Sequence, residues 1–134
     1  MAENIKLEVV TPQKAVVSEE VQIVMAPGSL GEFGVLANHT PFLTSLNAGL
    51  LRYTDSSDKE QLVFVNGGFA EALPDKVTVL AESAELKEDI DLQRAEAARE
   101  RAERRLEEAK ENMDAARAKA ALARALNRIK IASM

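Results

Sequence analysis

VTVLAESAELKEDIDLQRAEAARERAERR, residues 77 to 105, changes character part-way along. Val77 and Val79 sit two apart, the period of a half-buried strand. The pattern breaks near Glu82, and from Asp91 to Ile131 there is no glycine, no proline and no aromatic residue. Alanine, leucine, arginine and glutamate dominate there, all strong helix formers. Asp91 is a good N-cap, because its carboxylate can accept the free N–H groups of a first turn and favours the positive helix end. Leu92, Ala95, Ala98, Ala102, Leu106 and Ala109 recur at steps of three and four, giving a narrow stripe of small side chains.

Upstream the chain reads as β. IKLEVV alternates Ile5, Leu7 and Val9 against Lys6 and Glu8, and Thr11-Pro12 stops it. VQIVMAP puts Val21, Ile23 and Met25 on one face. Leu62 and Phe64 precede a Gly67-Gly68 pair that marks a bulge or tight hairpin. Tyr53 to Asp58 reads as a polar hairpin loop, and Pro74-Asp75-Lys76 as a turn. Several short strands between frequent turns point to a sandwich or barrel.

Downstream, Glu111 to Asp114 interrupts the helical pattern weakly, and Asp114 is expected to cap a second helix. Ala115, Ala118, Leu122, Ala125, Leu126 and Ile129 form its apolar face. Two such helices can lie close together as an antiparallel hairpin. Neither glycine nor proline fixes the turn, so a nearly continuous rod is the alternative. Alanine faces bury little area, so the two arrangements differ by only a few kcal/mol.

The 134 residues suit one domain or a domain with an appendage, and 46% apolar content is enough for a core. With one tyrosine, four phenylalanines and no tryptophan, that core is aliphatic. No cysteine means no disulfide, no thiolate nucleophile and no cysteine zinc site. No apolar run approaches a membrane span, and MAENIKLEVV lacks the regions of a signal peptide, so a soluble cytosolic chain is expected. The net charge of −5 is uneven: residues 1–90 carry −8 and residues 91–134 carry +3. From Ala115 onward there are five basic side chains and no acid, which suggests that the tail meets something negative.

Catalysis is unsupported. His39 is the only histidine and lies in a loop-like stretch, no phosphate loop of the GxxxxGK[ST] kind exists, and Glu19-Glu20 is a charged edge with no metal assigned. A nucleic-acid module is disfavoured by the negative charge and by a tail without aromatics to stack bases. The arginines are more informative. Arg94, Arg101 and Arg105 are spaced seven and four, as are Arg117, Arg124 and Arg128. A fold about residue 112 or 113 brings Arg101 level with Arg124 and Arg94 near Arg128. Four converging guanidinium groups cost energy unless an anion or carboxylates compensate, and a polyphosphate suits their forked donors. The alternative is ordinary surface pairing, as with Glu96–Arg99 and Glu100–Arg104.

Three stretches together resemble the epsilon subunit of bacterial rotary ATP synthases, over essentially the full length. GEFGVLANHTPF, residues 31–42, is similar to that family's G-E-x-G-[VIL]-L-x-x-H-x-P loop, with Ala37-Asn38 where Pro-Gly is frequent. VNGGFAEALPDKVTVLAE, residues 65–82, and the alanine-rich tail follow in the family's order. The resemblance implies an N-terminal ten-stranded β-sandwich over residues 1–84 and a C-terminal two-helix hairpin over residues 85–134. It implies a non-catalytic central-stalk subunit, peripheral at the cytoplasmic face of the bacterial plasma membrane, bound to the gamma subunit and the membrane c-subunit ring. Glu32 and His39 fall in the loop placed near that ring. The resemblance further implies that the tail inhibits ATP hydrolysis by extending between alpha and beta subunits. The family's nucleotide motif [IL]-D-x-x-R-A stands here from Ile90 and Asp91 to Arg94 and Ala95, and Glu85, Arg101, Arg124 and Arg128 complete the ATP contacts by resemblance. ATP is thus a regulatory ligand and no catalytic cofactor is implied; the isolated chain is expected to be a monomer. A stalk adaptor without nucleotide sensing is the alternative.

Overall fold

Ile5, Leu7 and Val9 are fully buried, while Lys6, Glu8 and Val10 between them are half-buried. That alternation is a strand with one face on a core, β1 (Ile5–Val10). The computed structural model describes residues 3–134. Eight further strands follow: β2 (Ala15–Gly28), β3 (Gly31–Val35), β4 (Phe42–Ser45), β5 (Gly49–Asp55), β6 (Glu60–Val65), β7 (Phe69–Leu73), β8 (Lys76–Leu80) and β9 (Ala84–Leu86). They run in the order β4-β7-β8-β1-β2-β5-β6-β9, with β3 beside β2. Only the β1–β8 pairing is parallel; the other pairs are antiparallel. The inner faces close over an aliphatic core that includes Leu7, Val24, Val35, Leu51, Val63, Val65 and Val79.

Nine strands stand among the described residues where ten are implied, and β2 is the longest, one strand of 14 residues. Its first half pairs with β1 and its second half with β3. Between them the register with β5 slips from Val21 to Ile23, a bulge at Gln22. The same bulge corrects the expected inner face. Val21, Val24 and Ala26 are buried, whereas Ile23 and Met25 are only half-buried, since one extra residue reverses every later side chain.

Gly67 and Gly68 do not make a hairpin. β6 and β7 are not neighbours, so the pair forms a corner where the chain crosses to the other part of the sheet. Both have positive φ, +67° and +106°, and a Cβ on Gly68 would stand 2.0 Å from the Leu80 carbonyl oxygen. The β5–β6 hairpin is as expected. Asp55 closes it, its carboxylate accepting N–H groups of Ser57 at 2.9 Å and Lys59 at 3.0 Å. Those bonds hold the Asp55 carboxyl below its ordinary value of 3.8, the Lys59 N–H being the main cause.

The chain divides at Lys87/Glu88, three residues beyond the expected 84/85 boundary, because Ala84–Leu86 still pairs with β6 as β9. A single 3-10 turn, Lys87–Asp89, precedes the helical unit. The helices are α1 (Leu92–Glu108) and α2 (Asn112–Ala132), joined by Ala109–Glu111 and packed on each other. The unit is therefore a hairpin and not a rod. Asp91 caps α1 as expected, accepting the Arg94 N–H at 3.1 Å. Asp114 does not cap α2. That helix starts two residues earlier, with Glu111 at the cap position, because Asn112 and Met113 both fit a helix. Asp114 instead lies in the first turn, at the positive helix end.

Candidate functional site

The turn fixes which arginines meet. Its centre is Lys110, not residue 112 or 113, so residues equally far from Lys110 in the chain lie level across the hairpin. Ala95 with Ala125 and Ala102 with Ala118 satisfy that rule, and all four are buried. Half-buried Ala98 lies level with half-buried Leu122 in the same way. Small side chains along this seam let the axes approach to about 8 Å. Leu92 and Leu126, expected on the apolar faces, are instead 40% and 47% exposed.

With the turn centred on Lys110, and not on residue 112 or 113, Arg101 and Arg124 are no longer equally far from it. Arg101 falls level with Lys119, and Arg124 with Glu96. A groove of about 560 Å³ lies between the helices near the turn, and Arg105, Arg117 and Arg124 line it. Arg101 lines a smaller neighbouring groove with Arg104, Arg105 and Glu108. Arg94 and Arg128 line neither groove. Arg94 and Arg101 are exposed, and Arg124 and Arg128 are half-buried.

The rest of the sequence-predicted nucleotide set is distributed as follows. Ile90 is buried, Asp91 is the helix cap, and Ala95 belongs to the interhelical seam. All three residues thus already have structural work. Glu85 stands on β9 opposite Phe64 of β6, in the β unit. The expected Glu96–Arg99 and Glu100–Arg104 pairs are replaced by one pair, Arg99 Nε to Glu103 Oε1 at 3.7 Å. Arg105 and Arg117 were not expected at a shared site; the symmetry of the alanines about Lys110 is the signal that finds them.

Within the β unit, Glu32 is on β3 and its carboxylate is 3.4 Å from Arg52 Nη2. His39 lies in the loop before β4, with Nδ1 2.6 Å from the Thr40 carbonyl oxygen. Phe42 meets the rings of both Phe33 and His39 edge-on, at 5.1 and 5.0 Å, and so ties β3 to that loop. Asn38 takes the left-handed conformation, φ +66°, in the place where glycine is frequent. Its side chain donates to Glu3 at 2.8 Å, and its N–H to the Pro74 carbonyl at 2.7 Å.

The family model for the β-sandwich domain of the ATP synthase delta/epsilon chain matches residues 4–87, and that for its long α-helix domain matches residues 88–133. The chain belongs to the ATP synthase epsilon-chain family. Members of this family are non-catalytic subunits of the ATP synthase, and so is this one. The ATP synthase epsilon chain of Desulfosudis oleivorans is 75% identical over 107 residues, 80% of each chain. That of Syntrophobacter fumaroxidans is 57% identical over 132 residues, 98% of each chain. A chain in the OSCP/F1/c-ring structure of the Euglena gracilis mitochondrial ATP synthase superposes with a TM-score of 0.85, covering 100% of this epsilon chain and 84% of its own length. At 22% identity that likeness concerns the fold. No helix among the described residues is long and apolar enough to cross a membrane.

Proposed function

We propose that this epsilon chain is a central-stalk subunit whose β unit turns with the gamma subunit and the c-subunit ring. Its helical unit inhibits ATP hydrolysis when it leaves the hairpin and extends between alpha and beta subunits. ATP, held through Glu85, Ile90, Asp91, Arg94, Ala95, Arg101, Arg124 and Arg128, favours the hairpin. Glu32 and His39 face the ring, and the complex keeps the chain peripheral at the cytoplasmic face of the membrane. A chain of the central stalk/c-ring structure of the Tetrahymena thermophila mitochondrial ATP synthase has a similar fold, with a TM-score of 0.61 at 12% identity.

The observation that carries the regulatory reading is the thinness of the interhelical seam. A buried methyl contributes about 0.8 kcal/mol, so the four buried alanines of the seam supply roughly 3 kcal/mol, to which the fully buried Ile131 near the end of α2 adds about 1.5–3 kcal/mol. A ligand present at a hundred times its Kd adds about 2.7 kcal/mol to the state it binds. The two quantities are comparable, so a nucleotide bridging α1 and α2 can decide whether the hairpin holds. The basic second helix also suits an acidic partner once released. Calorimetric titration of the isolated chain with ATP tests the sensor. Saturable binding that Arg124→Ala with Arg128→Ala abolishes is expected; no saturable heat in the wild-type chain would remove ATP from the account.

A further inference from the structure

The geometry points to a second anion site at the turn end of the hairpin, taking a phosphate or pyrophosphate group between Arg105 of α1 and Arg117 and Arg124 of α2. The three arginines line one groove of about 560 Å³, together with Ala109, Ala118, Ala120 and Ala121. Small lining residues leave the space open to a ligand and bring no competing donor. Arg105 lies level with Ala115, two residues from Arg117, so the two project from opposite walls within about 3 Å along the axis. Arg124 is seven residues beyond Arg117, about 10 Å further along the same wall, and the length of the arginine side chain covers much of that gap.

Among the described residues, none of these three arginines has a carboxylate within 4.0 Å. The one side-chain hydrogen bond they make among the described residues is from Arg117 Nη2 to the Met113 sulfur at 3.7 Å. Their forked donors therefore remain available to phosphate oxygens. Glu108 and Asp114 also line the groove, which leaves one net positive charge and explains why like charges can share it without a ligand. Asp114 marks the first turn of α2, whose N–H groups receive no side-chain cap and add positive potential there. Occupation would tie α1 to α2 beside the turn. The site rests on the turn and the groove; it shares only Arg124 with the proposed ATP contacts, and Arg105 and Arg117 belong to it alone.

The test titrates the full chain with sodium pyrophosphate, followed by backbone amide shifts of residues 105–124. Saturable shifts are expected in the wild type, and Arg105→Gln with Arg117→Gln weakens them about tenfold or more. Glu108→Gln tightens binding about threefold, a gain that misfolding cannot produce. Arg94→Gln leaves the pyrophosphate Kd unchanged even where it weakens ATP, which separates this site from the nucleotide reading. Displacement of pyrophosphate by ATP identifies the phosphate chain of a nucleotide as the occupant; simultaneous binding identifies free phosphate species. Shifts that do not saturate, or that the Arg105→Gln/Arg117→Gln chain reproduces in full, overturn the proposal.

Discussion

Ala102 of α1 and Ala118 of α2 are each eight residues from Lys110, and both are buried where the helices meet. Ala102→Leu is therefore expected to overpack the seam and destabilise the hairpin by about 1–3 kcal/mol. Amide exchange should quicken through Leu92–Ala132 and stay unchanged in the β core, since the two units are separately compact. Uniform quickening through both units would contradict this.

The cap of α1 is a single carboxylate. Asp91→Ala removes the acceptor of the Arg94 N–H and should cost the helical unit about 1 kcal/mol. Asp91→Asn keeps an acceptor at the same place and should restore most of that loss. Helical melting followed by circular dichroism at 222 nm separates the two. Equal melting of both variants would mean that charge, and not the hydrogen bond, sustains this end.

Gly68 is fixed by both conformation and space. Its φ of +106° disfavours any side chain, and the Leu80 carbonyl occupies the position of a Cβ. Gly68→Ala should destabilise the β unit by about 3 kcal/mol or more. Gly31→Ala offers a control, because its φ is also positive but no atom lies within 4 Å of a Cβ. Denaturant midpoints of the two variants should differ in that order.

Asp55 gives a pH signature. Its carboxyl is held below 3.8 in the folded chain by the N–H groups of Lys59 and Ser57 and the side chain of Gln61. The stability it contributes is complete above the unfolded value. It falls away as pH drops through 3.8 toward the lower folded value, because the unfolded chain takes up the proton first. Titration of the Asp55 carboxyl carbon by NMR should show a midpoint below 3.8. A midpoint at or above that value would contradict the hairpin-closing role.

Periodicity revealed the β unit and the capped first helix, because these depend on local spacing, and put the change between them near Glu82, five residues short of Lys87. Val77 and Val79 alternate as strands do, and Asp91 needs only its own first turn. What spacing could not supply was register. Gln22 reverses the faces of β2 through one unpaired residue, and no residue near it signals a bulge. The hairpin turn carries no glycine or proline, so Asp114 looked like a cap although Glu111 already holds the cap position. Two or three residues of error there paired Arg101 with Arg124 and left Arg105 and Arg117 apart from the site.

The most direct measurement is the ATP hydrolysis rate of the assembled complex at low ATP, with this chain either complete or ending at Glu88. The shortened chain keeps the whole β unit, so assembly should persist. A higher rate with the shortened chain is the predicted result. Equal rates, with both chains shown to be incorporated, would contradict an inhibitory helical unit.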